Sequence, residues 1–269
     1  MPMSWSAAAV ADGSSLARRN PTVKLAVLVS VSVAAMFMLD PLTPSVLYLL
    51  ALGGVLITTR APARTVALAH VPFLLFGLGV FVVNALSRPG TVLWEDLPVR
   101  VTVEGVEIGA ALAARTLLIG VLAIGFLLST DGVALMTSLH QNARLDARLT
   151  YAVLAGYRML QDMPREWALI RAAHAVRAGD PGHPGRMSRA GPLARSVFSL
   201  LVVSIRKGER MAQALESRGL GRQPRTTWRP VVVTAADWVL VVVCALTLTA
   251  VLVLSAWSGQ LRGPGALFG

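Results

Sequence analysis

Five long apolar runs limit what this chain can fold into. They cover residues 23–39, 45–59, 66–86, 109–129 and 235–257. A helix needs about 20 mostly apolar residues to cross a bilayer, and a helix also satisfies its own backbone hydrogen bonds there. The second run is the shortest and follows Pro41 and Pro44, so it is either a tilted span or a re-entrant segment. We predict an all-α integral membrane protein with about five transmembrane helices.

The composition agrees with a membrane protein. Hydrophobic residues make up 55% of the 269 residues, charged residues make up 14%, and the mean hydropathy is +0.63. Soluble domains carry roughly 25% charged residues. The single cysteine, Cys244, lies in an apolar run, and the four histidines lack the spacing of metal ligands. A disulfide framework and a cysteine-based metal site are therefore excluded, and no cofactor is expected.

The distribution of charge predicts the orientation. Residues 131–234 hold 16 of the 25 lysines and arginines, in a chain with a net charge of +11. A basic block beside membrane spans is typical of a cytoplasmic segment, so we expect it to face the bilayer and not a nucleic acid. Arg60 and Arg64 then lie inside, and the acidic loop 87–108 lies outside. With five spans and a cytoplasmic N-terminus, the charge of every loop agrees with the positive-inside rule.

This topology divides the chain into five segments. We expect a cytoplasmic tail over 1–20, four spans within 21–129, a cytosolic region over 130–234, a last span over 235–258 and a tail over 259–269. A cleaved signal peptide is the alternative for the first run. Its leading segment would be about 20 residues long and contain Asp12, and no small-x-small cleavage site follows the run. We therefore expect the first run to remain as a span.

Two polar residues interrupt the predicted spans, Asn84 in the third and Arg115 in the fourth. Ionisable groups inside a membrane are costly and often functional. On this topology, however, Arg115 lies near the outer end of its span, where a long side chain can reach the interface. We expect a structural role for it and not a transport role.

The basic region has the pattern of long amphipathic helices. Apolar residues between 191 and 218 recur mainly at steps of three, four and seven, which marks one face of a helix. A similar pattern covers 149–178 and contains Pro164, which should bend the helix. A shorter helix over 133–141 follows Asp131, a good N-cap residue, and the Gly- and Pro-rich run 179–185 is a linker. We expect long amphipathic coupling helices on the cytosolic side.

Both long helices end at an arginine beside small residues, at Arg177 and at Arg218. Cations favour the C-terminal end of a helix dipole, and Gly219 has the residue type preferred just after a helix. Each ending, taken alone, is therefore better explained as a cap than as a contact with a partner. Adsorption of basic helices to anionic lipid explains the charge, but it does not explain the paired endings.

Catalytic motifs are missing from the sequence. Its lysines are Lys24 and Lys207, and neither follows a Gly-x-x-x-x-Gly-Lys phosphate loop. Asp131-Gly132 does not continue into the signature of phosphoalcohol transfer. We therefore expect no enzyme activity. A peripheral-helix membrane scaffold and a lipid-headgroup enzyme with a basic surface are the alternatives to a transport subunit.

Several sequence elements resemble the transmembrane T component of energy-coupling factor (ECF) transporters, the bacterial importers of vitamins and metal ions. The resemblance covers nearly the whole chain from Asn20. Its elements, in order, are residues 20–25, the helix 158–177, the Ala-Leu-Glu-Ser-Arg-Gly element 214–219, the segment 225–228, and Asp237-Trp238 at the last span. Five elements in the family's order are far more specific than any one of them.

The resemblance implies roles for the two arginines. In the family, Ala-Arg-Gly motifs end the coupling helices, and each arginine enters a groove on one of two ATP-binding-cassette subunits, or of one fused double ATPase. The second motif departs from this pattern only by Ser217, whereas the first has Val176 and Ala178 as neighbours. The implied ATPase-contacting residues are Val176, Arg177, Ala178, Ser217, Arg218 and Gly219.

The resemblance also implies a second partner, a small hydrophobic substrate-binding S component. The expected function is transmission of ATP-driven motion to this subunit during uptake of a vitamin or transition metal ion. The expected location is the bacterial cell membrane, crossed several times. The apolar faces of the coupling helices would hold the S component through Val153, Tyr157, Ile170, Val197, Leu201, Ile205 and Leu215.

Overall fold

The computed structural model describes residues 14–93, 101–177, 190–222 and 230–259. These residues form helices, and one isolated β-bridge joins Val92 to Thr102. The chain divides into two compact units, residues 1–135 with 231–269, and residues 136–230. The helices are α1 (Pro21–Ala35), α2 (Leu42–Thr59), α3 (Ala63–Ser87), α4 (Val103–Ser129), α5 (Gly132–Asn142), α6 (Ala147–Arg177), α7 (Ala190–Ser217) and α8 (Ala235–Trp257).

Four helices of the described chain are long and apolar enough to cross a membrane: α2, α3, α4 and α8. The all-α membrane fold is therefore confirmed. The apolar helix α1 has only 15 residues, which is fewer than the predicted run 23–39. The second run, expected to be short, begins at Leu42 and forms 18 helical residues. Of the two alternatives for this run, a tilted span or a re-entrant segment, its length favours a span. Pro44 lies in the first turn of α2, where a proline is tolerated.

The end of α1 is made by hydrogen bonds that the apolar pattern does not show. The amides of Met36 and Phe37 donate to carbonyls only three residues back, over 3.1 Å each, which tightens the last turn. Arg115 of α4 donates from Nη1 to the Met36 carbonyl over 3.3 Å. The intramembrane arginine thus completes the end of a neighbouring helix, in line with its expected structural role.

Helix α4 is the centre of the first unit and packs against α3, α2 and α1. Its contact with α3 is close because glycines face the α3 backbone. A Cβ at Gly105 would lie 2.6 Å from the Asn84 carbonyl oxygen, and one at Gly109 would lie 2.8 Å from that of Phe81. Small residues at such positions let membrane helices approach closely. Eleven buried residues of α4 make it the best-packed helix of the unit.

A buried polar joint connects one end of α1, α4 and α8. Lys24 donates from Nζ to the Ser129 carbonyl over 2.7 Å. Asp237 accepts from the Asn20 amide over 2.9 Å and, as part of a capping box, from Thr234. The start of α1, the end of α4 and the start of α8 thus lie at the same end of the helices. The predicted topology also has these three helix ends on one side of the membrane. The cytoplasmic location of the N-terminus stays a prediction.

The second unit contains α6 and α7, which follow α5. Asp131 accepts from the amides of Val133 and Ala134 over 3.0 and 3.1 Å, so the predicted N-cap of α5 is confirmed. After α5 the chain turns through Arg144, which has a φ of 54°. Helix α6 continues through Pro164. The predicted linker 179–185 lies outside the described residues.

Candidate functional site

Helices α6 and α7 form an antiparallel pair, here called the α6–α7 hairpin. Three contacts fix its register. His174 and Ser199 are hydrogen-bonded over 3.1 Å between Nε2 and Oγ. Lys207 contacts Asp162 and Glu166 of α6. The Arg148 guanidinium lies against Gly221, with Nε 2.8 Å from the position of a Cβ there. Residues later in α6 contact residues earlier in α7, which shows that the two helices are antiparallel.

Arg177 is the last helical residue of α6. Its side chain is exposed, and the preceding Val176 is 84% exposed. A partner that covered the Val176 side chain would remove apolar surface from water. The predicted neighbour Ala178 lies outside the described residues. This end of the hairpin therefore presents a guanidinium and a valine to its surroundings.

Arg218 lies directly after α7, at a complete Schellman cap. The Leu220 amide donates to the Leu215 carbonyl over 3.0 Å, and the Gly219 amide donates to that of Glu216 over 2.9 Å. Gly219 has a φ of 82°, a conformation that favours glycine. The predicted role of Gly219 as the residue after the helix is confirmed. The cap engages the backbone and leaves the Arg218 side chain exposed.

Because the helices are antiparallel, the two arginines lie at opposite ends of the hairpin. No hydrogen bond or ion pair joins either guanidinium to another residue that the structure describes. Ser217 Oγ donates to the Ala214 carbonyl over 3.0 Å, so the residue that replaces alanine in the motif is engaged within its own helix. The structure thus separates two similar ends instead of forming one combined site.

A cross-helix ion pair lies between these ends. Lys207 Nζ is 3.1 Å from Asp162 Oδ2 and 3.3 Å from Glu166 Oε1. The hydrogen bonds to Asp162 and then to Glu166 raise the pKa of Lys207 above its ordinary value. Our sequence reasoning missed this group. The signal was available, since acids at positions i and i+4 share one face of a helix.

An exposed apolar row runs along α7, here called the α7 stripe. It consists of Leu193, Val197, Leu201 and Ile205, which recur every four residues and are 52–56% exposed. Of the other predicted S-component residues, Val153 is also exposed, whereas Tyr157, Ile170 and Leu215 are half-buried. The sequence pattern identified the stripe, but it could not separate the open residues from those that pack within the hairpin.

In the described part of the first unit, Asn84 and Lys24 both donate to backbone carbonyls. Asn84 Nδ2 donates to the Val80 carbonyl of its own helix over 2.9 Å. Lys24 is buried at the joint with Ser129. Within the described ranges, no three His, Cys, Asp or Glu side chains are grouped so as to hold a metal ion. The features that stand out are the two exposed helix ends of the hairpin and the exposed α7 stripe.

The chain is similar in sequence to known proteins. The family described as "Cobalt transport protein", CbiQ, matches residues 12–228. The energy-coupling factor transporter transmembrane protein EcfT of Heliobacterium modesticaldum is 26% identical over 236 residues, covering 84% of this chain and 87% of that protein. EcfT of Acidaminococcus fermentans is 24% identical over 231 residues, covering 82% and 85%. The chain therefore belongs to the CbiQ family and is a transmembrane component of an ECF transporter.

Proposed function

We propose that this subunit transmits ATP-driven motion from two ABC ATPase subunits, or one fused double ATPase, to a separate substrate-binding membrane S component. The observation that carries the proposal is the placement of Arg177 and Arg218. Both are exposed, both lie at a helix C-terminus, and they occupy opposite ends of one hairpin. Two separated ends suit two separate ATPase contacts.

The chemistry of the ends supports such contacts. A guanidinium is planar and can engage a carboxylate through two hydrogen bonds, which a lysine ammonium cannot do in the same way. Val176 and Ala178 flank Arg177, and Ser217 and Gly219 flank Arg218. These residues are small or of moderate size, so each helix tip can enter a groove. Well-packed arginines are frequent among the residues that contribute most to binding.

The α7 stripe is the proposed S-component surface. A soluble monomer seldom leaves a continuous apolar row exposed, and the substrate-binding subunit is expected to be hydrophobic. In this role Val197, Leu201 and Ile205 would contact the S component directly, together with Val153 of α6. Tyr157, Ile170 and Leu215 would support that face from within the hairpin.

The orientation and substrate belong to the same proposal. A cytoplasmic N-terminus puts the basic region 131–234 on the side where ATP is available, in keeping with the positive-inside rule. The family description names cobalt transport, so a transition metal ion is one candidate cargo and a vitamin is the other. On this scheme the S component would select the cargo.

Co-purification with the ATPases tests the proposal. We expect the double variant Arg177→Glu/Arg218→Glu to lose the ATPases and ATP-driven uptake, because a carboxylate in place of a guanidinium reverses the charge in each groove. Arg206→Glu is the matched control, since Arg206 is also exposed on α7 but lies away from both ends. Retention of the ATPases and of uptake in the double variant would rule out the proposed contacts.

A further inference from the structure

Lysine is rare in this chain, and both lysines connect helices. Lysine occurs at positions 24 and 207 only, among 25 cationic residues. Lys24 joins α1 to Ser129 at the end of α4. Lys207 joins α7 to Asp162 and Glu166 of α6. Arginine fills the remaining cationic positions, and Arg115 also reaches a neighbouring helix end. What the two lysines share is that one ammonium donates to two acceptors on another helix.

The geometry at Lys207 favours an ammonium over a guanidinium. Asp162 and Glu166 are four residues apart and place one carboxylate on each of two successive turns of α6. A single Nζ donates to both, over 3.1 and 3.3 Å. An ammonium is compact and has three donors that can turn toward separate acceptors, whereas the planar fork of arginine matches one carboxylate. Pro164 lies between the two acids, where α6 lacks one backbone hydrogen bond.

The Lys207–Glu166 contact of this ion pair lies equally far in sequence from Arg177 and from Arg218. Glu166 precedes Arg177 by the same number of residues as Lys207 precedes Arg218, namely eleven. At 1.5 Å per residue, each arginine lies about 16 Å from the ion pair along its helix. Since the helices are antiparallel, the two arms extend in opposite directions. The cross-link is therefore at the midpoint between the two docking ends.

We propose that Lys207, held by Asp162 and Glu166, is a pivot that holds α6 and α7 together near the middle of the hairpin and so limits the separation of Arg177 and Arg218. This inference rests on the proposed function, because it assigns the two ends to ATPases. Lys207 is a positioning residue, which acts through the two helices that it joins. The contacts at His174 and Arg148 lie toward the ends of the hairpin, where their longer lever arm opposes rotation of the helices about this central cross-link.

Distance measurement between spin labels tests the geometric part. Labels at Ala175→Cys and Gln213→Cys, both exposed positions near the two ends, report the separation in the full chain carrying Cys244→Ala. We expect Lys207→Met to widen the distance distribution. Lys207→Arg, which keeps the charge, should restore the parent width in part. Arg206→Met removes a neighbouring exposed cation that makes no ion pair with a described residue, and it should leave the distribution unchanged.

A coupling measurement tests the functional part. In the assembled transporter, we expect Lys207→Met to retain the ATPases but to lower uptake per ATP hydrolysed by about twofold to fivefold, the scale of a partly exposed ion pair. An unchanged distance distribution or unchanged uptake per ATP would overturn the pivot alone. Failure of the unaltered chain to bind ATPases would overturn the proposed function and the pivot with it.

Discussion

The membrane unit and the α6–α7 hairpin use apolar residues in opposite ways. In α4, eleven residues are buried, and two glycines contact the backbone of α3 closely. In α7, the four residues of the α7 stripe are each more than half exposed. Both patterns are regular in the sequence. The apolar residues of α4 pack against other helices of the same chain, whereas those of the α7 stripe remain available to a partner.

This contrast separates residues that set the fold from residues that set the assembly. Substitutions inside the α3–α4 contact should destabilise the membrane unit, whatever partners are present. Substitutions on the α7 stripe or at the helix ends should leave a folded chain that assembles poorly.

The α3–α4 contact should be the most sensitive region. Gly109→Leu places a side chain against the Phe81 carbonyl, which lies 2.8 Å from the Cβ position. We expect a loss of about 1–3 kcal/mol in the free energy of unfolding, as in other overpacked interiors. Thermal unfolding in detergent measures it. Gly79→Leu on α3 is the control because nothing lies within 4 Å of its Cβ position, and equal losses in the two variants would contradict close packing.

The α7 stripe should matter for assembly and not for folding. Leu201→Glu adds a charge to a side chain that is 55% exposed, so the isolated chain should keep its unfolding temperature. We expect S-component affinity to fall about tenfold or more, as for a central interface residue. Gln213→Glu, also exposed on α7, is the control. A stripe that served only to face lipid would leave S-component affinity intact.

The cap at Arg218 should show a smaller effect. Gly219 has a φ of 82°, so Gly219→Ala strains the backbone by about 1 kcal/mol. We expect the end of α7 to fray and ATPase affinity to fall, with little change in the unfolding of the membrane unit. Hydrogen exchange at residues 215–220 measures the fraying. Gly208→Ala, in open space inside α7, should instead strengthen the helix.

The smallest expected effect is that of pH on the label distance across the Lys207 pivot. Its pKa is raised above the ordinary 10.5 by hydrogen bonds to Asp162 and Glu166. A raised lysine pKa means that the ion pair contributes fully below the unfolded value and is lost only as the pH rises through the higher folded value. The label distance should therefore stay constant from neutral pH to about 10.5. Widening well below that pH would show that another group controls the hairpin.

Local signals predicted the helices well. The cap at Asp131, the glycine after Arg218 and the periodicity over 191–218 all depend on neighbours in sequence, and each agrees with the structure. The end of α1 could not be read in this way, because Arg115 completes it from another helix. The register of the hairpin was also out of reach, since it depends on contacts between residues far apart in sequence. Pairing of Lys207 with Glu166 joins positions 41 residues apart.

The even division of the hairpin has a consequence for symmetry. An antiparallel helix pair crossed at its midpoint has an approximate two-fold axis through that point. Rotation about this axis near Lys207 exchanges the Arg177 end with the Arg218 end, although the chain has no internal sequence repeat there. Most homodimers have a true two-fold axis. Under the proposed function, a single asymmetric copy of this chain would therefore offer two similar ends to the two halves of a symmetric ATPase dimer.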